Sequence, residues 1–296
     1  MSPLSVSSPD TARRQRLLFT DLDGSLLDPN SYDWTPARQW LLRLSALGVP
    51  VIPVSCKTRS ELVPLRRELG LEDAPFIAEN GAVAGLPSAW CHARLDRDPY
   101  ADGTVIKTLG IDIHLIRQRL AVWRARLDAR FTSMSEMPLD DLMAVTGLSA
   151  SQAQLAQLAQ RREGSEPLLW EDSPERLAAF REGLAGDGLR LVRGGRFWHV
   201  TGDCHKGSAV RWLIKRFEAL RGQRPLTLAL GDGPNDIPML EAVDQAVVIR
   251  GGHDLNVSPR QPALYRSEAI GPDGWREGVE HWWGQADCQP GPAAIA

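Results

Sequence analysis

Apolar positions recur along the chain with two periods, and the alternation between them predicts the architecture. Order is expected to begin at Arg16. Leu17-Leu18-Phe19-Thr20 is a short apolar run of the kind a buried strand shows, and Asp21-Leu22-Asp23-Gly24-Ser25 then turns the chain. Helical spacing follows: Thr35 is the expected N-cap, Pro36 suits the first helical position, Trp40, Leu41, Leu44 and Leu47 share a face, and Gly48 is the stop. A second apolar run, 49–54, leads to Ser55. Thr58 and Glu61 have capping-box spacing for a helix reaching Leu69, with Gly70 beyond it. Pro64 removes a hydrogen bond inside that helix, so a kink or a later start is expected. A third strand over 75–78 delivers Glu79-Asn80-Gly81.

The rhythm changes over 87–201. A polar stretch comes first, then a helix over 111–127, a second opening at Ser149 with Gln152 completing a capping box, and a third opening at Ser173-Pro174. Short strand candidates lie at 168–170, 189–193 and 196–200. The strand–helix alternation then returns. Val210, Leu213, Ile214, Phe217 and Leu220 line one face of a helix that follows Lys206-Gly207. After it come a strand over 227–230, a Gly-Asp-Gly-Pro-Asn-Asp turn, a short helix, a strand over 246–249 and a Trp-rich end. This order predicts an α/β fold in which 14–86 and 202–296 build a parallel sheet flanked by helices, 87–201 forms an inserted α+β domain, and 1–13 is a disordered tail. In such sheets ligands bind beyond the carboxyl ends of the strands, where Asp21, Ser55 and Glu79 fall.

Composition narrows the classes of function. With 296 residues, 43% hydrophobic and 24% charged, the chain reads as an ordinary globular protein of one large or two ordinary domains. A net charge of −3 offers no electrostatic footprint for nucleic acid or for an anionic membrane. No apolar run reaches the length of a membrane span, and the polar start lacks the apolar segment of a signal peptide. Cys56, Cys91, Cys204 and Cys288 are scattered, without metal-type or disulfide-type spacing, which fits a reducing, cytoplasmic setting.

Four fragments carry candidate chemistry. Asp21 and Asp23, two residues apart after a buried strand, can face one small volume, one as nucleophile and the other as proton donor and then base. Ser55, with Lys57 close by, offers a hydroxyl and backbone N–H groups at a helix start, an anion site. Lys206 also opens a helix, at the end where the macrodipole disfavours a cation, which hints at an anionic neighbour. Asp232, Asn235 and Asp236, in a glycine-rich turn after an apolar strand, are hard oxygen ligands suited to Mg²⁺. Each fragment alone is an ordinary turn or helix cap. In this order they supply what phosphoryl transfer needs.

At this point the sequence resembles the haloacid dehalogenase superfamily, whose four motifs look like Asp-Leu-Asp-Gly-Ser, Ser55, Lys206 and the Gly231–Asp236 turn. The insertion between the second and third resembles the cap of its Cof-like branch. That resemblance implies a Rossmann-like core with a cap, Asp21 as nucleophile and Asp23 as acid/base. It implies Ser55 and Lys206 on the transferring phosphoryl group, and Mg²⁺ held by Asp21, the Asp23 carbonyl and Asp232 with support from Asn235 and Asp236. Mn²⁺ or Co²⁺ would suit the same ligands. Ser25 stands where threonine is more typical. A narrower set of segments (SYDWTPA, SCKT, PFIAENGAV, residues 146–153, GRFWHV, GDGPNDIPMLE, GPDGWREG) is similar to the mannosyl-3-phosphoglycerate phosphatase family, over about 16–285. This implies a small anionic sugar-phosphate substrate, with mannosylglycerate as the product. Lys57, Glu79, Asn80, Arg161, Arg162, Arg196, His199 and Asn235 are the candidates to contact it, an Arg fork suiting a carboxylate. Alternatives are a glucosyl-3-phosphoglycerate or hexose-phosphate phosphatase, a phosphomannomutase-like transferase, and a non-catalytic sugar-phosphate binder. Among the tryptophans, Trp40, Trp123 and Trp212 are expected to pack and Trp198 to reach the cleft. His199 alternates with Trp198, so one of the two points inward.

Overall fold

The computed structural model describes residues 15–96, 99, 103–146, 157–158, 160–193, 197–251 and 256–284. Strand β1 (Arg16–Thr20) lies between β10 (Leu226–Gly231) and β2 (Val51–Pro53). Beyond β10 come β11 (Gln245–Arg250) and β12 (Leu264–Ile270), in the order β12-β11-β10-β1-β2, every pairing parallel. This is the expected α/β sheet wrapped by helices.

Alternation along β1 decides what each face holds. Leu18 packs with Trp40, Leu41 and Leu44 of helix Arg38–Ala46 and with Trp275, Val279 and Trp283 of helix Gly271–Trp283. Leu17 and Phe19 point the other way, against Ala209, Val210, Leu213, Ile214 and Phe217 of helix Lys206–Arg221. Each leucine, isoleucine, valine or phenylalanine among them, fully withdrawn from water, contributes about 1.5–3 kcal/mol. A strand apolar on both faces is what a sheet covered on both sides requires.

Two local expectations differ from the structure. Thr35 is no helix cap: its hydroxyl and backbone N–H both go to Asp33 Oδ1, and Thr35–Ala37 forms a 3₁₀ turn ahead of the helix. Leu47 lies beyond that helix and is exposed. By contrast Thr58 and Glu61 form the reciprocal capping box expected of them, and helix Arg59–Glu68 starts there and contains Pro64.

Strands β3 (Phe76–Ala78), β4 (Val83–Leu86) and β5 (Val105–Thr108) make a small antiparallel sheet, joined to β2 through a parallel bridge between Val54 and Ile77. Trp90 and Val105, read from sequence as part of the insertion, pack in the core beside Leu86 and Phe217. The insertion proper carries a four-stranded antiparallel sheet, β6 (Phe131–Ser133), β7 (Ser165–Trp170), β8 (Arg190–Arg193) and β9 (Trp198–Thr201), ordered β6-β7-β9-β8. Helices Ile113–Leu127 and Pro174–Gly186 cover one face of it. The helix expected from Ser149 starts outside the described residues. Among the described residues, no helix is long and apolar enough to cross a membrane.

Candidate active site

The carboxyl ends of β1 and β10 place Asp21 and Asp232 side by side, and Lys206 enters from the start of its helix. The Asp21 N–H donates to the Leu230 carbonyl at 2.9 Å, which locks the first residue of the turn to the neighbouring strand. Gly24, at φ 83°, brings the turn back against the Asp232 carboxylate, where a side chain would collide. Ser25 Oγ donates to Asp232 Oδ1 at 3.2 Å, so serine supplies the hydroxyl that threonine would.

Lys206 is buried, and its ammonium donates to Asp21 Oδ1 and to Asp236 Oδ1, each at 2.6 Å. The other oxygen of Asp236 accepts from the Asp232 and Gly233 N–H groups at 3.1 and 2.9 Å. Both Asp236 oxygens are therefore committed, and this residue shapes the turn that presents Asp232. Carboxylate oxygens of Asp21, Asp232 and Asp236 lie within 4.8 Å of one another. Three carboxylates face one ammonium. Burial pushes the Asp21 carboxyl well above the usual range; Lys206 opposes this, while Asp236, Asp232 and Asp23 add to it. Burial, with Asp236, likewise pushes Asp232 up to about 6. Excess negative charge on hard oxygen donors is the condition a divalent cation relieves, so these residues fit a metal such as Mg²⁺. Lys206 stays protonated, since the two carboxylates outweigh the desolvation that would neutralise it.

Asp23 is half-buried and forms an ion pair with Lys57 at 2.8 Å. The Lys57 ammonium also sits over the Tyr32 ring, 4.9 Å from its centroid. Burial pulls Lys57 down, but Asp23 more than offsets it and the group remains charged. Ser55 is fully buried, its Oγ accepting from the Lys57 N–H at 3.1 Å. The four sequence fragments thus meet at one end of the sheet.

The remaining candidates separate. Asn80 Oδ1 accepts from Asn235 Nδ2 at 3.4 Å, joining two turns at the rim. Arg162 donates to the Cys56 carbonyl at 2.7 Å, which brings the insertion onto the Ser55 loop, while Arg161 is exposed. Both oxygens of Glu79 are taken by the insertion: Oε1 by the Glu163 N–H at 2.8 Å, Oε2 by the Gly164 N–H at 3.1 Å and Ser165 Oγ at 2.7 Å. Glu79 therefore ties two parts of the protein together instead of presenting its carboxylate to a substrate. Arg196 lies outside the described residues.

The alternation in β9 is resolved against the expectation for Trp198. Trp198 packs with Phe180, Leu191 and Val200 on the helix-covered face, so His199 takes the opposite face, shared with Ser165 and Thr201, which bond toward the core. His199 Nδ1 is buried and has no hydrogen-bond partner among the described residues. Burial, with the Arg162 guanidinium nearby, lowers the imidazole to about 3, so it is neutral at working pH. A histidine depressed below its unfolded value of about 6.5 contributes no destabilisation above that pH. Below it, the unfolded chain takes up a proton that the folded one does not. Stability is then lost as pH falls from 6.5 toward 3, by up to about 1.4 kcal/mol per unit. Denaturant unfolding of the wild type should therefore weaken faster than that of His199→Gln across this window; equal slopes would contradict the assignment.

A buried support that the sequence does not announce lies under Asp21. Trp275 Nε1–H donates to Thr20 Oγ1 at 2.9 Å, and the Thr20 hydroxyl donates to the Asp21 carbonyl at 2.6 Å. Both residues are fully buried. A threonine ending an apolar strand was the available signal, since a buried hydroxyl needs partners. Thr20→Val preserves shape and leaves the indole N–H without an acceptor. It should cost about 1–3 kcal/mol in denaturant unfolding and lower kcat, with Thr20→Ser recovering both.

Against known proteins, residues 196–256 match the family described as haloacid dehalogenase-like hydrolase. The matched segment includes Lys206, Asp232, Asn235 and Asp236. Similar solved structures include a haloacid dehalogenase-like hydrolase from Bacteroides thetaiotaomicron, with TM-score 0.64 and 15% identity over 91% of this chain and 100% of the other. BT1666 from the same organism, described among phosphatases of the haloalkanoate superfamily, gives 0.62 and 16% over 94% and 99%. BT4131, described as a subclass IIB sugar phosphatase, gives 0.61 and 15% over 90% and 99%. The fold is shared with these haloacid dehalogenase-like hydrolases, and the family match is confined to the segment that carries Lys206 and the Asp232 turn.

Proposed function

We propose that the protein is a Mg²⁺-dependent phosphatase that forms a phospho-aspartate on Asp21, and that its substrate is a sugar phosphoglycerate, 2-O-mannosyl-3-phosphoglycerate first. The observation that carries the chemistry is Asp21 held at 2.6 Å by buried Lys206 beside Asp232, with Asp23 two residues on. Lys206 engages one Asp21 oxygen and leaves the other for phosphorus. The Asp21–phosphorus bond forms as the ester P–O bond breaks, and Asp23 gives its proton to the departing oxygen. Asp23 begins paired to Lys57. A phosphoryl group arriving as its monoanion draws Lys57 onto its own oxygens and passes its proton to the freed Asp23, which is the proton then given to the leaving oxygen. In the second half Asp23 takes a proton from water, the water oxygen attacks phosphorus, and the bond to Asp21 breaks, releasing phosphate. A cation held by Asp21 and Asp232, with Asp236 orienting the turn, would neutralise charge on the phosphoryl oxygens when bound.

The substrate rests on the resemblance of segments in both core and insertion. It also rests on Arg162 and His199, a fixed cation and a neutral hydrogen-bonding ring on the insertion's core-facing side, which suit a carboxylate and sugar hydroxyls. The free cysteines Cys56, Cys91 and Cys204 fit a reducing compartment such as the cytoplasm. The test is phosphate release with Mg²⁺ from mannosyl- and glucosyl-3-phosphoglycerate, mannose 6-phosphate, 3-phosphoglycerate and p-nitrophenyl phosphate. Preference for the mannosyl compound, abolished by EDTA, is the expected result. Preference for the glucosyl compound would change the sugar, and no release from any would overturn the phosphatase reading.

A further inference from the structure

Glu79 occupies a position that the catalytic reading leaves unexplained. It and Asn80 are consecutive non-glycine residues in the left-handed region, at φ 52° and 56°, a conformation that asparagine tolerates and glutamate rarely adopts. Strain of this kind persists where the surroundings over-determine it, and here they do. The Glu79 N–H donates to the Lys57 carbonyl and the Asn80 N–H to the Ser55 carbonyl, each at 2.9 Å, so the turn's backbone holds the loop carrying two phosphoryl-binding candidates. Gly81, next in the turn, lies so close to the His205 carbonyl that a Cβ there would approach its oxygen to 2.5 Å, one residue before Lys206. Asn80 meets Asn235 on the Asp232 turn. One strained turn thus touches three of the four catalytic fragments.

The side chain faces the other way. Glu79 is only 1% exposed, and its carboxylate takes three donors from residues 163–165, where β7 begins beside β9. The chain runs close to the core at this point: a Cβ on Gly164 would lie 2.7 Å from that of Ala82. Arg59 and Glu163 pair at 2.6 Å alongside. We infer that Glu79 is a positioning residue: its backbone fixes the catalytic loops, its carboxylate fixes the seat of the insertion, and the distance between Asp21 and the insertion's Arg162 and His199 is set through it. A carboxylate suits this place because it accepts from every side and donates nothing, whereas an amide would turn an N–H toward one of the three donors.

Glu79→Gln tests this. By amide hydrogen exchange, the Glu163 and Gly164 N–H groups should exchange about tenfold faster than in the wild type, beyond any change in global stability measured alongside. The ratio of kcat/KM for the sugar phosphoglycerate over that for p-nitrophenyl phosphate should fall about tenfold, because only the larger substrate reaches the insertion. Ser165→Ala, which removes one donor and keeps the carboxylate, should move both readouts in the same direction by less, and it carries the test should Glu79→Gln fail to fold. Unchanged exchange at 163 and 164 with an unchanged ratio would overturn the inference. The kinetic arm rests on the phosphatase reading and the exchange arm does not. A wild type that hydrolyses neither compound would sink that reading and leave exchange to decide this one.

Discussion

Asp21→Asn is expected to lower turnover by roughly four orders of magnitude or more, because it removes the proposed nucleophile and a carboxylate of the proposed cation site together. The same substitution should not lower the melting temperature. Burial raises the Asp21 carboxyl in the folded state, so its ionised form is disfavoured there. An acid raised above its unfolded value costs stability at pH above that value, and a neutral isostere removes the cost. The folded enzyme carries that cost in a site that chemistry needs charged. Calorimetry and phosphate release on one preparation read both effects. Turnover within about tenfold of the wild type in a folded variant would exclude Asp21 as the nucleophile.

Lys206→Met should be the most damaging single change to the fold of the site. Among the described residues the ammonium is the one cation in contact with both Asp21 and Asp236, and it is buried with them. Removing one partner from such a network leaves its carboxylates uncompensated, a loss of about 3–5 kcal/mol. Turnover should drop by roughly 10²–10³-fold, as when a preorganised charge opposite a developing oxyanion is lost. Two conditions should recover part of the stability. Lower pH protonates the raised Asp21 and Asp232 carboxyls, and added Mg²⁺ supplies the missing positive charge. Denaturant unfolding with and without Mg²⁺ measures this. Stability equal to the wild type in the absence of metal would contradict the charge balance described above.

The legible part of the structure was the part written in consecutive residues. Leu17 to Phe19 is apolar on both faces, so a doubly covered strand and an acidic turn beyond its end could be read directly. The glycine-rich turn holding Asp232 and Asp236 follows β10 in the same way. What escaped was set by partners distant in the chain. Nothing near Glu79 announces that its acceptors serve residues 163–165, so an acid in a turn at a strand end read as a ligand for substrate. The choice between Trp198 and His199 depended on which face of the insertion's sheet the helices Ile113–Leu127 and Pro174–Gly186 would cover, and strand periodicity is the same for either. Thr20 and Trp275 are joined across 255 positions. Strand β12 went unread because it is a half-exposed edge strand whose polar positions break the apolar run.

The most direct test of the phospho-aspartate route uses Asp23→Asn, in which Asp21 can still be phosphorylated by a substrate with a good leaving group while the water step lacks its base. The variant is mixed with p-nitrophenyl phosphate and Mg²⁺, quenched in acid, and its peptides are sequenced by mass spectrometry. One phosphoryl group on Asp21, absent when EDTA is included and absent from Asp21→Asn, is the predicted result. An unmodified Asp21, found while the wild type releases phosphate from the same substrate, would contradict the account.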